Sequence, residues 1–214
     1  WGVGYLSAVA ASPDLRAMLN SAAQDSAESH CAADGSDESH CAPDGPDESP
    51  PVALARRTIE AYVRERRVME PPCHPEGVLA ECAGAFVSLH RAGELRGCIG
   101  TIAPTRPTLA DEIVHNAIQA ATADPRFPPL TPAELTGLEI SVDVLHPAEP
   151  ATMEDLDPRT YGVIVSADWR RGLLLPDLEG VDTATEQVSI ALRKAGIGPD
   201  ERYRLERFRV DRYH

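Results

Sequence analysis

Residues 94–101 read ELRGCIGT, and Cys98 in their midst is the side chain in this sequence best suited to chemistry. A thiol attacks an electrophile or binds a soft metal as its thiolate, and a nearby guanidinium favours that form. Arg96 stands two residues before Cys98. Strand alternation would put Arg96, Cys98 and Gly100 on one face, with Leu95, Gly97 and Ile99 on the other. Gly97 and Gly100 leave room for a ligand or a second backbone to come close. The competing reading is a buried cysteine acting as a small hydrophobe.

A second group lies in DPRFPP, residues 124–129. Here Arg126 would hold an anionic group beside Asp124, and Phe127 would wall a pocket. The alternative is that Asp124 and Arg126 bond backbone where a helix ends, while Phe127 plugs the core. His90 and His115 are the bases nearest these motifs in sequence, and a thiol nucleophile needs one. His115 shares a polar helical face with Glu112 and Gln119, which predicts a solvated role. Cys73, His74, Cys82 and Cys98 lack the paired C-x-x-C spacing of a zinc site, so no metal ligands are assigned. There is no glycine-rich phosphate loop and no G-x-S-x-G.

These residues must be carried by regular elements. GAFVSLHRAGELRGCIGT predicts two strands joined by a turn at residues 91–94. Before it, Ala55, Ile59, Tyr62 and Val63 form one helical stripe, which Pro71, Pro72 and Pro75 follow. After it, Thr108 caps a helix whose apolar stripe is Leu109, Ile113, Ala117 and Ala120 or Ala121. LTGLEISVDVLH, YGVIV and GLLL predict strands, and residues 183–195 predict a helix stopped by Gly196 and Gly198. RYRLERFRV predicts one closing strand. Strands grouped rather than alternating with helices indicate an α+β fold with a mostly antiparallel sheet and flanking helices.

Residues 24–49 carry eight carboxylates and neither Lys nor Arg, more than half of the net charge of −14. That balance argues against nucleic acid as a partner. Within the stretch, Glu28, Ser29, His30, Cys31, Ala32, Asp34 and Gly35 recur ten residues later as Glu38, Ser39, His40, Cys41, Ala42, Asp44 and Gly45. The His-Cys pairs are candidate soft-metal ligands. The composition, polar and rich in Ser, Gly and Pro, instead predicts a disordered linker over residues 21–51. Five irregularly spaced cysteines do not make a disulfide framework. No apolar run approaches the roughly 20 residues of a membrane span, and residues 1–20 lack a secretory pattern. The chain opens on Trp1 and reads as a fragment or processed piece of a cytoplasmic protein.

ELRGCIGT, then NAIQAATADPRFPPLTPAEL, GLEISVDVL, RRGLLLPDLEGVD, EQVSIALRKAGI and RYRLERF, resemble the AMMECR family in order over residues 52–214. This is the family also called AmmeMemoRadiSam system protein A. The resemblance implies a compact α+β domain, with LRGCIG as its hallmark. Carried over by position, it implies a cleft around Cys98 and Arg96, with Arg126, Asp124, Phe127, Asn116, Gly97 and Gly100 as substrate-binding residues. Asn116 would contact a ligand there, or alternatively bond the backbone of a nearby loop. His146 stands where similar sequences carry serine, which argues against a family-wide duty.

WGVGYLSAVA, within residues 1–20, is similar to the last strand of LigB-type (class III extradiol) dioxygenase domains, the group of Memo-like proteins. Non-haem iron would belong to that missing N-terminal domain, and no cofactor is expected in the AMMECR part. The implied partners are the Memo-like domain on the same chain, a radical-SAM protein and a small-molecule substrate, with no nucleic acid and no membrane. Two functions follow as expectations. One is small-molecule or modification redox chemistry at Cys98; the other is a non-catalytic module that presents substrate or docks partners.

Overall fold

The computed structural model describes residues 48–214. The predicted dioxygenase-like remnant and the decapeptide repeat lie outside those residues. Helix α1 spans Pro50–Glu65, so the last two residues assigned to the linker form its first turn. A proline at the first helical position suits the helix, because that N–H would be unpaired anyway.

A hairpin of β1 (Gly84–Arg91) and β2 (Glu94–Gly100) follows, then α2 (Leu109–Thr122) and β3 (Leu138–Leu145). The hairpin turns on Ala92 and Gly93, both at positive φ, which matches the twist of the flanking strands. A two-residue strand β4 (Glu149–Pro150) comes next. The same order of elements then repeats as β5 (Gly162–Ala167), β6 (Arg170–Leu174), α3 (Ala184–Ala195) and β7 (Arg204–Phe208), with β8 (Val210–Tyr213) last.

The strands form two sheets rather than one, ordered β2-β1-β3-β8 and β6-β5-β7-β4, with every pairing antiparallel. The predicted closing strand breaks at Arg209, so that β7 completes the second sheet and β8 crosses to the first. Four layers result. Helices α1 and α2 bury Ile59, Leu109, Ile113 and Ala117 against Val87, Ile99 and Val142 on one face of the first sheet. Its other face packs on the second sheet through Phe86, Cys98, Leu145, Ile164, Leu173 and Phe208. Helix α3 covers the far side with Val188, Ala191 and Leu192. Burial of this apolar surface from water is the main force holding the layers together.

Both α2 and α3 start with a threonine capping box, Thr108 with Asp111 and Thr183 with Glu186, which pairs otherwise orphaned backbone N–H groups. Each helix also rests on a glycine of an edge strand. A methyl group at Gly97 would run into the Ala120 carbonyl oxygen, and one at Gly172 into that of Ala191. At Gly97 the missing side chain therefore admits a helix. At Gly100 it admits the Phe86 ring. Neither glycine opens space for a ligand.

Candidate functional site

Strand β2 is the outer strand of its sheet, and Cys98 points from it into the space between the sheets. Its side chain is 3% exposed and packs with Phe86, Leu145 and Leu173. Ser88, directly opposite on β1, donates its hydroxyl to the sulfur at 3.1 Å. Burial pushes the thiol up to about 11, against the weaker pulls of the Ser88 hydrogen bond and the Arg126 charge, with Asp143 and Asp124 adding to the rise. The expected thiolate is thus not the resting form. Cys98 is a neutral thiol at physiological pH.

Arg96 does not adjoin the sulfur, and the reason is a β-bulge. Leu89 pairs with Gly97 and His90 with Leu95, so Arg96 is the extra residue in β2. The bulge resets the alternation. Leu95, expected beside Gly97 and Ile99, turns to the side of Cys98, while Arg96 swings out to Glu134. Its guanidinium grips that carboxylate with Nε at 2.8 Å and Nη2 at 3.3 Å. Glu134 also accepts from the Thr131 N–H and hydroxyl. The Arg96 bonds above all, outweighing partial burial, hold Glu134 down at about 2.

The guanidinium that does reach Cys98 is Arg126. It forms a two-point pair with Asp124, Nε to Oδ1 at 2.9 Å and Nη2 to Oδ2 at 2.6 Å. Asp124 Oδ2 accepts the Cys98 N–H at 2.9 Å, and Arg126 Nη2 donates to the Cys98 carbonyl at 3.3 Å. Together the two side chains stand in for a missing neighbour strand, supplying partners to backbone that an edge leaves unpaired. Burial alone would raise the Asp124 carboxyl, but hydrogen bonds from Arg126 and from the Cys98 N–H outweigh it and lower it. The backbone-bonding alternative therefore describes Asp124 and Arg126 alike. Phe127 is half-buried, with both Arg96 and Arg126 over its ring at 5.9 and 5.4 Å, and it does not line the space beside Cys98.

Asn116 is buried and donates to the Ala85 carbonyl at 2.9 Å, pinning α2 to β1. It too is away from that space. Glu112, expected on a polar face, is fully buried and bonded to Thr101 and Thr105. His115 is half-buried against Arg106, 2.7 Å from Nδ1, rather than solvated, and burial lowers its pKa. His146 pairs with Asp211 on the surface. Cys73 and Cys82 are exposed. Among the described residues no three His, Cys, Asp or Glu side chains converge as a metal site requires.

Beside Cys98 lies a cavity of about 420 Å³. Ser88, Cys98, Ser141 and Asp143 form its polar floor, all on one face of the first sheet. Leu175 and Leu178, from the segment after β6, supply an apolar wall, and Arg126 and Arg212 also line the space. Asp143 is 4% exposed and accepts from Arg212 Nε at 2.7 Å. His90 also lines the cavity. Lys194, near the end of α3, donates to the Leu173 carbonyl at 2.8 Å; burial lowers its pKa to about 8, partly offset by Cys98.

Sequence reasoning missed Ser88, Ser141, Asp143, Arg212 and Lys194. The signal for the floor was present, since Glu139, Ser141 and Asp143 alternate with Leu138, Ile140 and Val142. That pattern reads as a solvent face until a second sheet is known to cover it.

Comparison with known proteins agrees with this architecture. A protein of Thermotoga maritima is 55% identical over 168 residues, 77% of this chain and 97% of that one. Protein CA_C1420 of Clostridium acetobutylicum is 47% identical over 166 residues, but these make up only 36% of its length. The crystal structure of PH0010 from Pyrococcus horikoshii superposes with a TM-score of 0.70 at 34% identity, covering 76% of this chain and 88% of that one. The AMMECR1 family matches residues 52–214, and with the fold and relatives just described this places the chain in the AMMECR1 family.

Proposed function

We propose that this domain is a small-molecule-binding module whose intersheet cavity presents a bound molecule to the neutral thiol of Cys98. One observation carries the reading: a buried sulfur that nonetheless lines a cavity of ligand size, on a floor of hydroxyl and carboxylate groups. A core cysteine needs no such neighbours. The module would hand its ligand to a Memo-like dioxygenase relative and a radical-SAM protein, the partners implied by the family resemblance. In the clostridial relative the domain is a minor part of a longer chain, a setting that suits a carrier.

A second reading, in which Cys98 takes part in redox or modification chemistry, is favoured by Lys194. Its amine lies within electrostatic reach of the sulfur, and burial lowers its pKa, so a change of charge there would be felt at Cys98.

Alkylation of the folded protein with iodoacetamide tests both. A binding module with a resting thiol labels Cys98 more slowly than the exposed Cys73 and Cys82 near neutral pH, and faster as pH approaches 11. Labelling of Cys98 ahead of the other two would mean a resting thiolate and would favour the enzyme. No labelling at high pH, with the protein still folded, would mean that the cavity does not reach the sulfur and would end the binding reading. Under the second reading Cys98→Ser abolishes turnover but spares complex formation with the partners.

A further inference from the structure

The most unusual group in the cavity is the Asp143–Arg212 pair. Asp143 Oδ1 is taken by Arg212 Nε, and the other carboxylate oxygen has no hydrogen bond among the described residues. The buried polar atoms left unpaired among those residues are Arg106 Nε and Gln187 Oε1, so this oxygen is open to the cavity it lines. Both Nη groups of Arg212 likewise carry no hydrogen bond among the described residues, and its side chain is 34% exposed. The cavity wall therefore offers an acceptor and two donors of opposite charge side by side.

The fold does not demand a carboxylate there. Asp143 lies opposite Phe86 in the first sheet, as Phe208 lies opposite Gly162 in the second. The corresponding place in the repeated half is thus filled by a phenylalanine that is 1% exposed. A carboxylate in that place carries a desolvation cost that a phenylalanine does not.

Such a pair discriminates by charge pattern. A lone anion gains from Arg212 but is repelled by Asp143, and a lone cation meets the reverse. A ligand with opposite charges on neighbouring atoms satisfies both at once, in surroundings where charge-assisted hydrogen bonds are strong. Ser141 follows Asp143 along the same face of β3 and faces Ser88, so hydroxyls continue the floor beneath the rest of the ligand. Leu175 and Leu178 face the same space and suit an aliphatic portion.

Building on the cavity's reading as a binding site, we propose that it selects a small zwitterion of the α-amino-acid kind, with its ammonium group on Asp143 and its carboxylate on Arg212. The probes are L-norvaline, its isomer 5-aminopentanoate, whose charges are far apart, and N-acetyl-L-norvaline, which lacks the ammonium group. Each is titrated into isotopically labelled protein while the Ser88, Ser141 and Asp143 amide resonances are followed. Norvaline should give a saturable shift, with the other two at least about tenfold weaker. Arg212→Gln should remove that preference; its side chain is partly exposed, so it keeps the test alive if Asp143→Asn does not fold.

Equal or tighter binding of either comparison probe would overturn the zwitterion assignment and leave the cavity reading standing. Absence of a saturable shift with any of the three also overturns it. The cavity reading itself stands or falls separately, on whether iodoacetamide reaches Cys98.

Discussion

The two halves of this domain are built to one plan. In each, a hairpin leads to a capped helix that lies across a glycine of the edge strand, and a third strand then joins the first strand of the hairpin. Aligning Gly97 with Gly172 places Cys98 at Leu173 and Ser88 at Ile164. Even the edge carbonyl is served alike, by Arg126 at Cys98 and by Lys194 at Leu173. Asp143 falls at Phe208, so one half fills these three positions with two aliphatic side chains and a phenylalanine, the other with a thiol, a hydroxyl and a carboxylate. The framework is satisfied by apolar residues at these three positions, so the polar set in the first half is not required by the shared plan.

The largest test of this comparison concerns the edge clamps. Asp124→Ala strips the buried partner from Arg126 and orphans the Cys98 N–H, and should destabilise by about 3–4 kcal/mol. Lys194→Met removes one hydrogen bond from an amine that burial already inclines to neutrality, and should cost about 1 kcal/mol. Urea denaturation of both variants measures the difference, and equal losses would mean that the two edges are held alike after all.

A second test writes one half into the other. The double variant Ser88→Ile with Cys98→Leu gives the first hairpin the residues of the second. If the polar pair serves function, the added volume should cost no more than about 3 kcal/mol, leaving the protein folded while norvaline binding is lost. Loss of folding would assign Ser88 and Cys98 to structure.

A third test is a pair of opposed pH dependences. Cys98 binds its proton more tightly in the fold, so its contribution is complete below the ordinary thiol value of roughly 8.5 and is lost as pH rises through about 11. Lys194 is the reverse, complete above 10.5 and lost as pH falls through about 8. Between these limits the two slopes oppose one another. Cys98→Ala should therefore make stability rise with pH across that window, and Lys194→Met should make it fall, each by no more than about 1.4 kcal/mol per pH unit. Parallel slopes in the two variants would remove the case for either group being perturbed.

Much of the fold was legible because it rests on short-range signals. Thr108 with Asp111, the turn ahead of Glu94, and the stripe from Leu109 to Ala121 each predict their element locally. Cys98 was also correctly set on the face away from Gly97 and Ile99. Three features were not legible, for one reason: they depend on what lies opposite. The bulge at Arg96 exists only by reference to β1. The polar side of β3 counts as a cavity floor only because a second sheet covers it. The crossing at Arg209 turns one apparent strand into two. The duplication was equally hidden, since beyond caps and the Arg-Gly of residues 96–97 and 171–172 the two hairpins share little identity.

That crossing has a thermodynamic corollary. Arg212 reaches the cavity only because the chain leaves one sheet and finishes in the other, and its partner Asp143 is 69 positions distant in sequence. Neither half can come apart without dismantling the wall that both supply. Whatever occupies the space between them will raise the melting of the domain as a single cooperative event, which makes calorimetry a direct way to hunt for it.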